Sequence, residues 1–265
     1  MTDKPRLKTA RHLFVPAYGR SKEAGGNVVL NFMGAPKREL ALIADEYFEA
    51  AKVLMDGLAE KGSYSDFAAY PIVFLYRHAL ELYLKALLVT GDSLAGLLGD
   101  RRLEFDLQNA NANHKLMPLL NRLEQLFSAL GWSWEDYGTS GLTAEGFRNI
   151  ISEFDREDPD SYAFRYPVKK KDGTASVEES FAFSLLEMSR VLDPVLTMLS
   201  NDWMTLREYH GQLSEEASLK QELAYENDSS DYYSEAAYLN RQVAYENDSN
   251  DYYEGCRGDY YDAEP

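Results

Sequence analysis

FAAYPIVFLYRHALELYLKALLV, residues 67–89, is apolar on almost every side and carries one regular stripe of charge. Hydrophobic residues spread all around a helical period predict a helix buried at the centre of a bundle, not one lying on its surface. Arg77, Glu81 and Lys85 stand four residues apart, so on a helix they form a single line. Burying an unpaired charge or polar group costs roughly several kcal/mol. The line must therefore pair with itself along one wet face, meet a partner, or anchor a polar network at a helix seam or ligand cleft. His78 adjoins it and lies three residues from Glu81, as a satisfied packing ring or as a proton carrier.

The flanking sequence supplies helices for this one to pack against. Leu40, Ile43, Tyr47, Ala51, Leu54 and Leu58 recur at steps of three and four, predicting a first helix with Pro36 at its opening. Asn111–Leu130 predicts a third, with His114 at its start, Asn113 as its cap and five leucines on one face. Thr143–Arg156 predicts a fourth on Phe147, Ile150, Ile151 and Phe154. The run DREDPDSYAFRYPVKKKDGT (155–174) breaks the period at Pro159 and Pro167 and ends in a Lys-Asp-Gly turn. It predicts an irregular insertion with a short hairpin around Tyr162–Val168 and Thr174. Arg165 sits there beside Tyr166, suited to stacking on a base or holding phosphate, or else to pairing with Asp155, Asp158, Asp160 or loop carbonyls. Ser176-x-x-Glu179 is a capping-box pattern that opens a fifth helix through Phe181, Leu185, Met188, Leu192, Leu196 and Leu199, kinked or divided at Pro194. The fold class is all-α: a bundle of about five helices over residues 35–212, with an irregular or hairpin insertion and an appended tail.

Charge divides the chain. Residues 1–34 form a basic extension (Lys4, Arg6, Lys8, Arg11, Arg20, Lys22) with at most a short strand near Val28–Phe32. From Ser214 onward there are 14 Asp and Glu against 3 Lys and Arg, so the tail (213–265) holds −11 of the chain's −17. It also holds 9 of the 19 tyrosines, and Ser214–Tyr233 is rewritten as Ser234–Tyr253 with 13 of 20 positions identical. Each copy reads as a short helix start followed by an acidic stretch, NDSSDYY or NDSNDYY. Two copies are too few for a solenoid core. They suffice as two ligands on one string, with Tyr225, Tyr232, Tyr233, Tyr245, Tyr252 and Tyr253 as contact residues for a basic partner or a basic cleft of the same protein. A solvated tail that aids solubility is the alternative.

An acidic surface argues against unspecific binding of duplex nucleic acid, though a local basic patch can still hold RNA or a nucleotide. The single cysteine, Cys256, rules out an internal disulfide. The charged N-terminus lacks a signal peptide's apolar stretch, and no run approaches a membrane span, which reads as a soluble, cytoplasmic protein. No nucleotide-loop, hydrolase-elbow, HExxH or CxxC motif occurs, and the four histidines are scattered, so neither cofactor nor metal is expected.

FLYRHALELYLKALL (Phe74–Leu88), HKLMPLL (His114–Leu120) and FRYPVKKKDG (Phe164–Gly173), in this order, resemble the HEPN superfamily of all-α domains over residues 36–205. The nearest likeness is to a bacterial HEPN-like group associated with defence and mobile elements. The resemblance implies a homodimer and a link to RNA, either as a metal-independent ribonuclease or as a non-catalytic binder. Catalysis would need His78, His114 and Arg77 to act in an arrangement different from the family's, with Arg77, Glu81, Lys85, Arg165 and Tyr166 as candidate substrate contacts. The superfamily's nuclease hallmark, an Arg with a His four to six residues on, departs here. Its only such spacing is Arg6…His12 in the extension, and Arg148-Asn149 has no suitably spaced His. The competing expectation is a non-catalytic helical binding or assembly module in which the stripe serves structure and the tail binds a basic partner or self-inhibits.

Overall fold

The computed structural model describes residues 39–62, 64–99, 105–112, 114–132, 143–169, 171–177 and 181–255, with side chains described except at 111–112, 226–237 and 241–255. Six helices occur among them: α1 (Leu40–Lys61), α2 (Asp66–Leu98), α3 (Leu107–Ala112), α4 (Leu116–Leu130), α5 (Ala144–Glu157) and α6 (Leu185–Gly255). The described residues contain no strand, only an antiparallel bridge between Val168 and Ala175 that closes the expected hairpin-like turn. The all-α class is therefore the observed one. The basic extension and its short strand near Val28–Phe32 lie outside the described residues.

As its composition requires, α2 is the hub: it is buried almost continuously from Ile72 to Ala95. Two phenols fix its neighbours. The Tyr76 hydroxyl donates to Asp193 of α6 at 2.7 Å. The Tyr83 hydroxyl donates to Asp45 of α1, which also accepts from Ser200 of α6 at 3.1 Å. Burial, then the adjoining carboxylate, raises the pKa of both phenols. Ascending α2 from 76 to 83 thus means ascending α6 from 193 to 200, so the two run parallel. On α1, Phe48 lies beside Tyr76 and Asp45 beside Tyr83, so that helix runs antiparallel to both. Hence α1 begins at the end of the bundle from which α6 departs. Against the other side of α2, α4 approaches closely at Gly91, where an added Cβ would stand 2.5 Å from Leu126 Cδ2.

Four helix boundaries and faces differ from the sequence reading. The buried face of α1 is Ala41, Ala44, Phe48, Ala51 and Met55, leaving Ile43 and Leu54 exposed. Three alanines let the backbones of α1 and α2 approach, and that contact outranks the bulkier stripe. The single helix expected over Asn111–Leu130 is split, with α3 ending at Ala112 and α4 beginning at Leu116. Asn113, the expected cap, lies outside the described residues; the cap residue of α4 is Lys115, whose side chain does not cap the helix. Instead Asp155 reaches across from α5, its Oδ1 accepting from Leu116 N and its Oδ2 from Met117 N, each at 2.7 Å. A carboxylate there satisfies two orphan donors and opposes the helix dipole. Asp155→Ala is expected to cost about 1–2 kcal/mol in urea unfolding, with Asp155→Asn retaining part of it.

The last helix also starts later than expected. Ser176 lies in the turn, donating its backbone N–H to Pro167 O (3.0 Å), and the helix opens at Leu185. The working signal is the next Ser-x-x-Glu along, Ser184–Glu187, where Ser184 Oγ accepts from Glu187 N at 3.2 Å. Pro194 does not divide α6, which continues unbroken to Gly255. The tail is therefore not two short helix starts: both repeats lie on one continuous helix.

Candidate functional site

The charged stripe of α2 is not a wet face. Arg77 is 0% exposed, and Glu81 and Lys85 are almost as deeply buried. Glu81 is the centre: Oε2 accepts from Arg77 Nη1 at 3.0 Å, and Oε1 accepts from Lys85 Nζ at 2.7 Å. His114, just before α4, places Nδ1 3.0 Å from the same Oε1. Burial pushes the Glu81 pKa up, but bonds to Lys85 and His114 and the charges of Lys85 and Arg77 outweigh it and hold the group below its ordinary value. An ionised carboxylate only accepts, so the His114 proton sits on Nδ1 and a neutral ring has its lone pair on Nε2. The His114 side chain is 42% exposed.

The remaining donors of Arg77 tie down two other segments. Nη2 donates to His114 O at 2.7 Å, and Nε donates to Asp158 O at 3.2 Å. Asp158 Oδ2 stands 3.4 Å from Nε as a charge contact without hydrogen-bond geometry. The other oxygen, Oδ1, accepts from Tyr162 N (2.6 Å) and Ala163 N (2.8 Å). That turn requires Ser161 at φ 54°, a left-handed conformation uncommon for a side chain with a Cβ. Two cations and two carboxylates thus cancel in a buried knot joining α2, the start of α4 and the loop after α5. Asp158 is the residue the sequence reading did not connect to Arg77. An Asp-Pro pair closing a helix is the signal that marks it as a turn-former.

His78 does not join the knot. Its ring stacks on Phe74 (centroids 5.4 Å, 12°) and meets Tyr47 edge-on at 4.5 Å. Burial lowers its pKa, the charge of Glu81 opposes, and Lys85, Arg165 and Arg77 reinforce the lowering. Arg165 is exposed and pairs with none of the three aspartates expected; its Nε donates to Ser161 O. Its guanidinium lies 5.6 Å from the Phe74 ring centre and 5.9 Å from that of Tyr166. Tyr166 stacks on Tyr162 at 4.6 Å. The candidates outside the tail therefore fall into two sets: a buried knot (Arg77, Glu81, Lys85, with His114 at its rim) and an aromatic-cationic patch (His78, Arg165, Tyr166) around the Phe74 ring. A cleft of about 670 Å³ where α2 and α6 begin, walled by Tyr70, Phe164, Phe181 and Phe183, is lined by none of the sequence-derived candidates.

The third element is the far end of α6. Leu206 is the last buried residue described on it, and Tyr209 and Leu213 still pack against the core. Beyond Glu215 the described side chains are exposed, including Leu219, Leu223, Tyr225, Tyr238 and Leu239. The side chains of Tyr232, Tyr233, Tyr245, Tyr252 and Tyr253 lie outside the described residues. At 100° and 1.5 Å per residue, a 20-residue repeat places its second copy about 30 Å along the axis and about 200° around it. The copies thus face opposite sides of the helix. The equivalent pair Leu219 and Leu239, both exposed, mark those two sides.

No helix among the described residues is long and apolar enough to cross a membrane. Compared with protein-family models, with curated proteins and with solved structures, the chain matches none.

Proposed function

We propose that the protein is a helical binding module without catalytic activity, whose acidic, tyrosine-rich helix is its recognition element for a basic partner. The observation that carries this reading is the run of α6 past Leu213 to Gly255, through a segment with 11 Asp and Glu against 2 Lys and Arg. The internal pairing of Arg77, Glu81 and Lys85 supports it, because groups so placed hold helices together and do not meet a substrate. Affinity capture with the full chain should enrich basic proteins that a chain ending at Leu213 loses. An identical set from both chains overturns the reading.

A second reading keeps the likeness to HEPN proteins and their link to RNA, in a dimer. Two observations favour it: the stacked Phe74–His78 pair under an exposed Arg165, and the half-exposed His114 whose Nδ1 is engaged by Glu81. Such a His can take a proton from a 2′-OH through Nε2. On this reading purified protein cleaves RNA, and His114→Ala removes at least tenfold of the rate (on the order of 10²-fold for a lost general base). Cleavage surviving both His78→Ala and His114→Ala, or no cleavage, sinks this second reading.

A further inference from the structure

The exposed acidic helix has a complementary ligand within its own chain. Residues 1–34 carry six Lys and Arg against Asp3 and Glu23, while residues 214–265 balance to −11. The fold brings their roots together. Because α1 runs antiparallel to α6, Leu40 lies at the end of the bundle where α6 leaves the core near Leu213. The basic segment therefore enters the bundle at the base of the acidic helix, not at its far end. Reach is ample: 34 extended residues span up to about 110 Å, whereas Ser214–Gly255 rises about 60 Å along the axis. The two copies of the repeat face opposite sides, so one flexible ligand must cross the helix to meet both, as an extended chain can and a rigid domain cannot. Charges of the two signs held on one chain also gain from effective concentration.

We propose that residues 1–34 dock along the acidic part of α6 in the same chain, occupying its recognition surface until a competing basic partner displaces them. This inference rests on the reading of the α6 extension as a binding element. It fits a self-masking tail.

The full-length chain allows a direct test through its single cysteine. A nitroxide on Cys256, and in a second sample on Ser230→Cys in a Cys256→Ser background, should erase the amide NMR signals of residues 4–22 by paramagnetic broadening. High salt, or Lys4, Arg6, Lys8 and Arg11 all changed to Glu, should restore them. Full signal intensity from both labels at low salt overturns the proposal. So does broadening that appears when nitroxide-bearing chains are mixed with isotope-labelled Cys256→Ser chains, because that places the contact between two copies. If broadening is absent while the full chain still captures basic proteins that the chain ending at Leu213 does not, only the masking fails and the binding reading stands.

Discussion

Glu81→Ala is expected to lower the stability of the protein by about 3–5 kcal/mol, the range for breaking a buried ion pair from one side. The size follows from arithmetic inside the knot. Glu81 accepts from Arg77 and Lys85 and engages His114, and its loss leaves Arg77 with Asp158 and buries Lys85 without its carboxylate. A typical domain has only about 5–15 kcal/mol to lose, so much of the margin goes. Urea unfolding followed by circular dichroism measures it. Glu81→Gln, which keeps the shape but not the charge, should fall between. The pH dependence has a definite sign. The folded pKa of Glu81 lies below its ordinary value, so its contribution is complete above the unfolded pKa and fades as pH falls through the folded one. The gap between wild type and Glu81→Ala should therefore narrow in acid. A loss under about 1 kcal/mol would mean that the stripe is solvated, contrary to the burial described above.

Asp202→Asn should move stability the other way, increasingly as pH rises from about 4 to about 7. Asp202 is 0% exposed on α6, and neither of its carboxylate oxygens has a hydrogen-bond partner among the described residues. Burial pushes its pKa up to about 7 from 3.8. The folded chain thus keeps a proton that the unfolded chain releases near pH 4. Between those values the folded state binds more protons, so stability falls as pH rises, and above about pH 7 the penalty is complete. A difference of about three pKa units corresponds to about 4 kcal/mol. Asparagine has a similar shape and no charge to bury. The variant should match wild type near pH 4 and exceed it by up to about 4 kcal/mol at pH 8. Equal pH profiles for the two proteins would sink this account.

The two carboxylates show how far the sequence could be read. Glu81 announced itself, because a charge line at spacing four in a greasy helix has few fates, and pairing was among them. Asp202 gave no such signal, since one acid in SNDWMTL could as well face water. Only the packing of α6 against its neighbours turns it inward. Asp155 and Asp158 were legible as acids near an arginine, but their partners were not: one caps α4 and the other holds Arg77, and neither pairs with Arg165.

What the sequence by itself determined is the all-α class, the central place of α2 and the concentration of charge in the tail. Each follows from local quantities, namely the period of apolar residues and a count of charges. Only the tertiary structure decided that α1 packs on its alanines, that the charged stripe is a closed knot with His114 at its rim, and that both repeats ride one helix on opposite sides. These depend on which surfaces meet. Close backbone approach, desolvation and the direction of a helix as it leaves the core are properties of several segments at once, and no single stretch encodes them alone.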